Sequence, residues 1–265
     1  MHHTEFIDRL QAQPLSQSTI DGGRWVVGLE GDKSITIREG ASAELVLHCA
    51  AKEQRLSLSV GRGAQLRIVH VVTEAECRSH LDLTLAEGAH VEMTQVVVSS
   101  AETKVVANLS EPHARFVLGG AFILSGEERG VVSADVRHLS ADCSSRTTYK
   151  GVASDNARGK FTGLVYVAQD AQRTDSEQLS RNVTIGQARI ETLPQLEIYA
   201  DDVKCSHGAT VGQMDEDAIL YMRQRGLSFA DAKRLQIEGF VKDIVLHSAI
   251  EECSDMLADI LQTKL

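Results

Sequence analysis

Apolar and polar residues alternate along much of the chain before residue 212. Residues 34–38, 55–60 and 80–85 carry an apolar side chain at every second position, a pattern typical of strands that bury one face. Turns containing Gly-Ala separate these runs, and their glycines at positions 40, 63 and 88 are 23 and 25 residues apart. A turn and its strands therefore recur as one unit.

Repeats of this size predict a solenoid, because a single coil cannot bury its apolar face without a neighbouring coil. The turn element returns less regularly at Gly119, Gly186 and Gly208. An aromatic content of 4%, with many Val, Leu and Ala residues, suits a narrow interior. We predict an all-β fold, a right-handed parallel β-helix over residues 21–212, after a short N-terminal extension over residues 1–20. Other all-β architectures are the alternative.

The hydrophobic period changes after Gly212. Residues 215–225 begin with acidic side chains suited to a helix N-terminus, and Gly226 is a suitable C-terminal cap. Ser228 is the predicted N-cap of a second helix, and apolar residues then recur at helical spacing to near the end of the chain. We predict a small C-terminal α-helical appendage over residues 213–265. The pattern alone suggests a lid over the open end of the solenoid.

Composition narrows the class of function. The 265 residues carry a formal net charge of −10, which disfavours attraction to a phosphate backbone, so we expect no nucleic-acid partner. The N-terminal residues have neither a basic opening nor an apolar run, and no later stretch is apolar enough to span a bilayer. We therefore expect a cytoplasmic protein without a membrane partner. Five cysteines without a Cys-x-x-Cys pair are typical of a reducing compartment.

Most of the cysteines and histidines are interpreted as structural residues without a role in chemistry. Four cysteines lack ligand spacing and are interpreted as small buried apolar residues: Cys49, Cys77, Cys143 and Cys253. Four histidines alternate within strand-like runs and are interpreted as surface or ladder residues: His70, His80, His90 and His138. Asp201 and Asp202 are adjacent and would point to opposite strand faces, which argues against a catalytic dyad. No phosphate-binding Gly-x-x-x-x-Gly-Lys-Ser/Thr loop occurs, so nucleotide energy would have to come from a partner.

Cys205 and His207 are the candidate metal ligands. If the strand pattern over residues 196–203 continues, residues two apart share one face, so the thiol and the imidazole point the same way. These donors suit iron, zinc, copper or an iron-sulfur cluster, which take about four ligands. Two ligands form half a site, and the others would come from elsewhere in the chain, a partner or a small molecule. Taken alone, such a pair is more often a buried cysteine beside a hydrogen-bonded histidine.

The stretch LEIYADDVKCSHGATVG at residues 196–212 closely resembles the SufB/SufD family of iron-sulfur cluster assembly scaffolds. The resemblance extends through residues 158–163, Ala171-Gln172, Gln178, Asn182 and residues 215–226, and is similar in pattern before residue 158.

The match favours the SufD-like branch. Cys-Ser-His-Gly-Ala-Thr stands where the SufB branch tends to carry an acidic residue, His and Glu-Ala-Thr. Leu179 occupies the position where that branch places a cysteine.

The resemblance implies a non-catalytic scaffold subunit of the SUF system. Its implied cargo is a transient Fe-S cluster, shared through Cys205 and His207 with a SufB-like paralogue or a second copy that meets the β-helix. A SufC-like ATPase is implied to dock on the helices of residues 213–265. Cluster type and flavin binding are left open. Family members usually carry a larger N-terminal helical segment, whereas here about twenty residues precede the strand predicted at residues 25–29.

Two competing functions fit a β-helix. A carbohydrate-active lyase or hydrolase would explain the fold, but we would expect it to be exported and to carry clustered charged residues along one face. A self-associating structural β-helix would differ from the scaffold only in giving Cys205 and His207 no importance. The Cys-Ser-His motif favours the scaffold over both alternatives.

Overall fold

The chain folds as a parallel β-helix followed by a helical appendage, as seen in a computed structural model that describes residues 12–15 and 17–264. The predicted fold class is thereby confirmed. The strands are β1 (Gln13–Pro14), β2 (Thr19–Val60), β3 (Gln65–Val72), β4 (Cys77–Leu85), β5 (His90–Val97), β6 (Ala101–Leu109), β7 (Arg115–Leu124), β8 (Arg129–His138), β9 (Ser144–Ala153), β10 (Arg158–Val167), β11 (Thr174–Thr184), β12 (Arg189–Ile198) and β13 (Val203–Gln213).

The strands follow two paths that meet at the long strand β2. Even-numbered strands run in the order β4-β6-β8-β10-β12 and odd-numbered strands in the order β3-β5-β7-β9-β11-β13. Each coil contributes one strand to each path. Along the odd path, the distance in sequence between register partners is greater for Ser144 and Asp175 than for Gln65 and His90. The coils therefore lengthen along the chain, which explains why the turn motif recurs less regularly in its later part.

The repeated Gly-Ala turns have a conformational cause. Gly40, Gly63 and Gly88 have φ angles of 67°, 60° and 63°, in the left-handed region that favours glycine. The Gly40 amide donates to the Arg62 carbonyl of the next turn, at 2.8 Å. Each alanine that follows these glycines is buried. The motif therefore stacks successive coils at one corner of the solenoid.

The interior is mainly aliphatic, but it contains buried polar groups in early as well as later coils. His70 is fully buried and its Nδ1 lies 2.9 Å from Gln95 Nε2, while the Tyr149 hydroxyl donates to Gln95 Oε1 at 2.7 Å. His138 is also fully buried and its Nε2 lies 2.9 Å from Ser145 Oγ. The surface interpretation of His70 and His138 is therefore wrong, because these strand positions face the interior. Burial lowers the pKa of His70 to about 3 and that of His138 to about 4.

The other two histidines lie near the surface. His80 and His90 are partly exposed and approach the carboxylates of Asp82 and Glu92, each at 3.3 Å. For these two positions the surface or ladder interpretation agrees with the structure.

Three helices follow the last strand. They are α1 (Glu216–Gln224), α2 (Phe229–Leu246) and α3 (Ser254–Lys264), with a 3₁₀ turn at Glu251–Cys253. Ser228 is the N-cap of α2, as predicted, and its hydroxyl accepts from the Asp231 amide at 3.0 Å. None of the described helices is long and apolar enough to cross a membrane.

The helices pack against the side of the solenoid. Val96, Ile123 and Val152, on the odd-numbered path, form one buried cluster with Val241 and Leu257 of the helices. The interpretation of the appendage as a lid over the open end is therefore wrong. It failed because the outward face of these strands is itself apolar, and covering this face removes that apolar surface from water.

A buried cation reinforces this lateral attachment. Lys150 on β9 donates to the Phe240 carbonyl and to Asp243 Oδ1, both at 2.7 Å. The lysine is 9% exposed, so its ammonium group relies on these partners.

The last coil, β12 and β13, has no further coil stacked on it within the described part of the chain.

Candidate functional site

Cys205 and His207 both lie in β13, at the end of the odd-numbered strand path. In the parallel register, Cys205 pairs with Ser176 and His207 pairs with Gln178 of β11. Ser176 and Gln178 face the interior and are 2% and 0% exposed. Because register partners in neighbouring strands share a face, both candidate ligands lie on the interior-facing side of the last coil. This agrees with the geometry expected from their spacing.

The two side chains are accessible although they occupy interior-facing positions. Cys205 is partly buried and His207 is exposed, whereas Gln178 one coil earlier is completely buried. Since β13 ends the stack of described strands, nothing described covers this coil from the outer side. The thiol and the imidazole are therefore presented at the open end of the solenoid.

The thiol of Cys205 lies beside a small apolar cluster. Val165, Val167, Ala171 and Ala200 form this cluster, and Cys205 packs against it. Burial raises the pKa of Cys205, the Asp175 carboxylate raises it further, and a hydrogen bond from the Ser176 backbone offsets part of the shift. The resting group is thus a thiol, and a metal that binds it must displace the proton.

Polar side chains form the floor beneath these candidate ligands. Five interior-facing residues of β11 are 2% exposed or less: Thr174, Ser176, Gln178, Ser180 and Asn182. Asn182 Nδ2 donates to Ser180 Oγ at 2.9 Å and to the Thr210 carbonyl of β13 at 3.1 Å. The floor is thereby linked to the strand that carries the candidate site.

Gln178 is unusual within this floor. Its two side-chain amide atoms are buried and have no hydrogen-bond partner among the described residues. Gly163 on the opposite strand leaves the room it needs, since a Cβ there would lie 2.5 Å from the Gln178 amide. Polar residues at every second position of β11 are the sequence signal of this floor, and sequence reasoning noted Gln178 and Asn182 only through the family resemblance.

The two donors have no companions in the described part of the chain. No group of three His, Cys, Asp or Glu residues is arranged there to hold a metal ion. Asp201 and Asp202 are exposed in the turn before β13, where the Asp202 amide donates to Gln172 Oε1 at 2.9 Å and its carbonyl accepts from the Arg173 amide. They add no ligand to the pair, which is therefore incomplete for a four-coordinate metal or a cluster.

The remaining cysteines are buried, as predicted, but two of them are neighbours. The sulfur atoms of Cys49 and Cys77 are 2.7 Å apart, and Gln54 Nε2 donates to both, at 2.6 and 3.0 Å. The shared proton and burial raise the pKa of Cys49 well above its ordinary range. Their spacing in the chain matches no metal-ligand motif, so no sequence signal indicated this pair.

Fold and site together define a β-solenoid that presents a thiol and an imidazole, those of Cys205 and His207, at its open end. Comparison with known proteins shows to which family this solenoid belongs. Residues 23–240 match the SUF system FeS cluster assembly, SufBD core domain, and the chain belongs to the SufB/SufD family.

The relatives agree with a SufD-like assignment. The iron-sulfur cluster assembly protein SufD of Escherichia coli is 30% identical, over 90% of this chain and 73% of the relative. A SufBD family protein of Synechocystis is 45% identical, over 37% of this chain and 22% of the relative. SufD of Bacillus subtilis is 29% identical, over 53% of this chain and 32% of the relative. This protein is therefore a SufD-like member of an iron-sulfur cluster assembly family.

Proposed function

We propose that this protein is a non-catalytic, cytoplasmic scaffold subunit of the SUF system, and that a nascent Fe-S cluster is its cargo. The observation that carries the proposal is the accessible pair of Cys205 and His207 on the terminal strand, without companion donors among the described residues. Two ligands hold a cluster weakly, so a partner subunit supplies the others. Cluster assembly at a junction between scaffolds follows from this incompleteness.

The open end is the proposed junction with that partner. The outer edges of β12 and β13 are unpaired in the described sheet, and unpaired edges favour strand addition or coil stacking. Apolar side chains are exposed on and between these strands: Leu193, Ile198, Tyr199 and Val211. Burial of this surface would stabilise a complex with a SufB-like paralogue or with a second copy of the chain.

The helical segment, residues 213–265, is the proposed docking site for a SufC-like ATPase, and residues 21–212 form the proposed scaffold domain. Large apolar side chains of α1 and α2 stay exposed although another face of α2 packs on the solenoid: Leu220, Tyr221, Phe229, Leu235 and Leu246. Such a surface supports a protein partner. The chain has no phosphate-binding loop of its own, which is consistent with an external source of nucleotide energy.

The test is anaerobic purification of the complex from its host, followed by assays of iron and sulfide. The unmodified chain should co-purify with a paralogue or a second copy and an ATPase, and the complex should load a cluster. Cys205→Ala and His207→Ala should sharply reduce loading, and Ser206→Ala is the matched control because its side chain lies between them on the opposite face. Stoichiometric iron on the isolated chain, with every ligand inside it, would contradict the shared site.

A further inference from the structure

Three arginines stand in register on the outside of the even-numbered strand path. Arg158 on β10 pairs directly with Arg129 on β8 and with Arg189 on β12, and all three side chains are exposed. Neighbouring strands lie about 4.8 Å apart, so three guanidinium groups are stacked within about 10 Å. Like charges directly opposite one another destabilise a sheet. Arg158 Nη1 donates to the Gln187 carbonyl at 3.1 Å, a neutral partner that leaves the positive charge of the stack uncompensated.

The surrounding carboxylates do not compensate this stack. The arginines line a groove of about 870 Å³ that also contains Lys52, Glu53, Glu76, Arg78, Glu102, Lys160 and Glu191. Within it, Lys52 pairs with Glu76, Arg78 pairs with Glu53 and Glu102, and Lys160 pairs with Glu191. These pairs engage all four glutamates of the groove. Arg129, Arg158 and Arg189 are left without an ion pair in the part of the chain that the structure describes.

Unpaired arginines are not the rule elsewhere in this acidic protein. Arg146 on the odd-numbered path pairs with Asp175 at 2.9 Å, and Arg173 pairs with Asp142 at 2.6 Å. With a formal net charge of −10, the chain has ample carboxylates to neutralise three more arginines. Arginines without an ion pair also occur elsewhere among the described residues, such as Arg55, which stands opposite His80, but in the groove three of them stand in direct register with one another. Arg158 also begins the motif Arg-Gly-Lys-Phe-Thr-Gly, of which Gly163 makes room for Gln178 beneath the candidate site, while Arg158 itself lies on the outer surface.

We propose that this groove binds a small anion with two or three linked phosphate groups. Guanidinium forks bind phosphate oxygens through paired hydrogen bonds, and a phosphate chain laid across β8, β10 and β12 would meet them in succession. The groove is concave and its volume lies within the usual range for small-molecule sites, which favours a small ligand over a protein surface. This site reaches β12 through Arg189 and Glu191 but does not include Cys205 or His207, and the proposal does not depend on the cluster junction.

The test is calorimetric titration of the full chain with sodium tripolyphosphate at constant ionic strength. We expect saturable one-to-one binding, with orthophosphate weaker. Arg158→Gln should weaken tripolyphosphate binding at least tenfold, about 1.4 kcal/mol, because it removes the central guanidinium. Arg146→Gln is the matched control, since it makes the same charge change at an ion-paired arginine on the other strand path, and it should leave the affinity unchanged.

Four outcomes would overturn the proposal. Absence of saturable binding would remove the site, and an equal loss in Arg158→Gln and Arg146→Gln would indicate an adventitious ion only. Tighter binding of an oligoglutamate peptide of matched charge would make the groove a docking surface for an acidic protein. Thermal melting supplies a further check with Arg129→Gln, which relieves repulsion without removing the bond from Arg158 to the Gln187 carbonyl and should melt at the same or a higher temperature without ligand. A lower melting temperature would assign the stack a structural role and contradict the proposal.

Discussion

The middle coils and the last coil of the solenoid are built on the same alternation but have different surroundings. On β4, which lies between β2 and β6, the inward-facing Leu81, Leu83 and Leu85 are all 0% exposed. On β13, which has a neighbour on one side, the corresponding face carries the partly buried Cys205 and the exposed His207. The comparison shows that an inward-facing position becomes core only where coils stack on both sides.

The largest expected difference is in the cost of truncating an inward-facing side chain. Leu83→Ala should lower the free energy of unfolding by about 2–5 kcal/mol, because it leaves a cavity in a sealed coil. Val211→Ala, on the same face of the last coil but 48% exposed, should cost less than about 1 kcal/mol. Urea denaturation of both variants measures the difference. Equal costs would mean that the last coil is closed in solution.

Acidification should weaken the sealed coils through their buried histidines. The folded pKa values of His70 and His138, about 3 and about 4, lie below the unfolded value of about 6.5. The unfolded chain therefore binds more protons, and stability falls as the pH drops from 6.5 towards these folded values.

Each of these histidines should contribute up to about 1.4 kcal/mol of this loss per pH unit. The double variant His70→Gln, His138→Gln should show a flatter dependence of unfolding free energy on pH between 7 and 5. A slope as steep as that of the unmodified chain would assign the acid sensitivity to other groups.

Substitution of Lys150 tests whether this residue keeps α2 on the side of the solenoid and so leaves the end of the solenoid uncovered. If the lysine holds α2 against the side of the sealed coils, Lys150→Met should cost about 1–3 kcal/mol, because the Phe240 carbonyl and Asp243 lose their donor. It should also speed proteolysis within residues 213–265. Lys160→Met is the matched control, since Lys160 makes an exposed ion pair with Glu191. Similar behaviour of the two variants would rule out a special role for the buried lysine.

The smallest effect on stability is expected at the open coil itself. Cys205→Ala and His207→Ala should each change the free energy of unfolding by less than about 1 kcal/mol, yet sharply reduce cluster loading, with His207→Ala the more damaging. Complementation of a scaffold-deficient strain, read beside thermal melts, separates folding from function. Normal growth with both variants would assign the pair a purely structural role.

Local patterns were sufficient to predict the repeat, the turns, the helical appendage and the shared face of Cys205 and His207. Alternation and left-handed glycine conformations act between residues close in the chain, so they can be recognised without a structure. The family resemblance added the assignment to the SufB/SufD family, which the comparisons confirm.

Only the tertiary structure decided which strand positions face a sealed interior and which residues meet across coils. It places His70 and His138 inside, brings Cys49 to Cys77, stacks Arg158 between two other arginines and lays the helices along the side of the solenoid. The physical reason is register. Register partners in neighbouring coils are distant in the chain, and their separation in sequence grows from the early coils to the later ones. The sequence pattern therefore does not predict which side chains will be in contact.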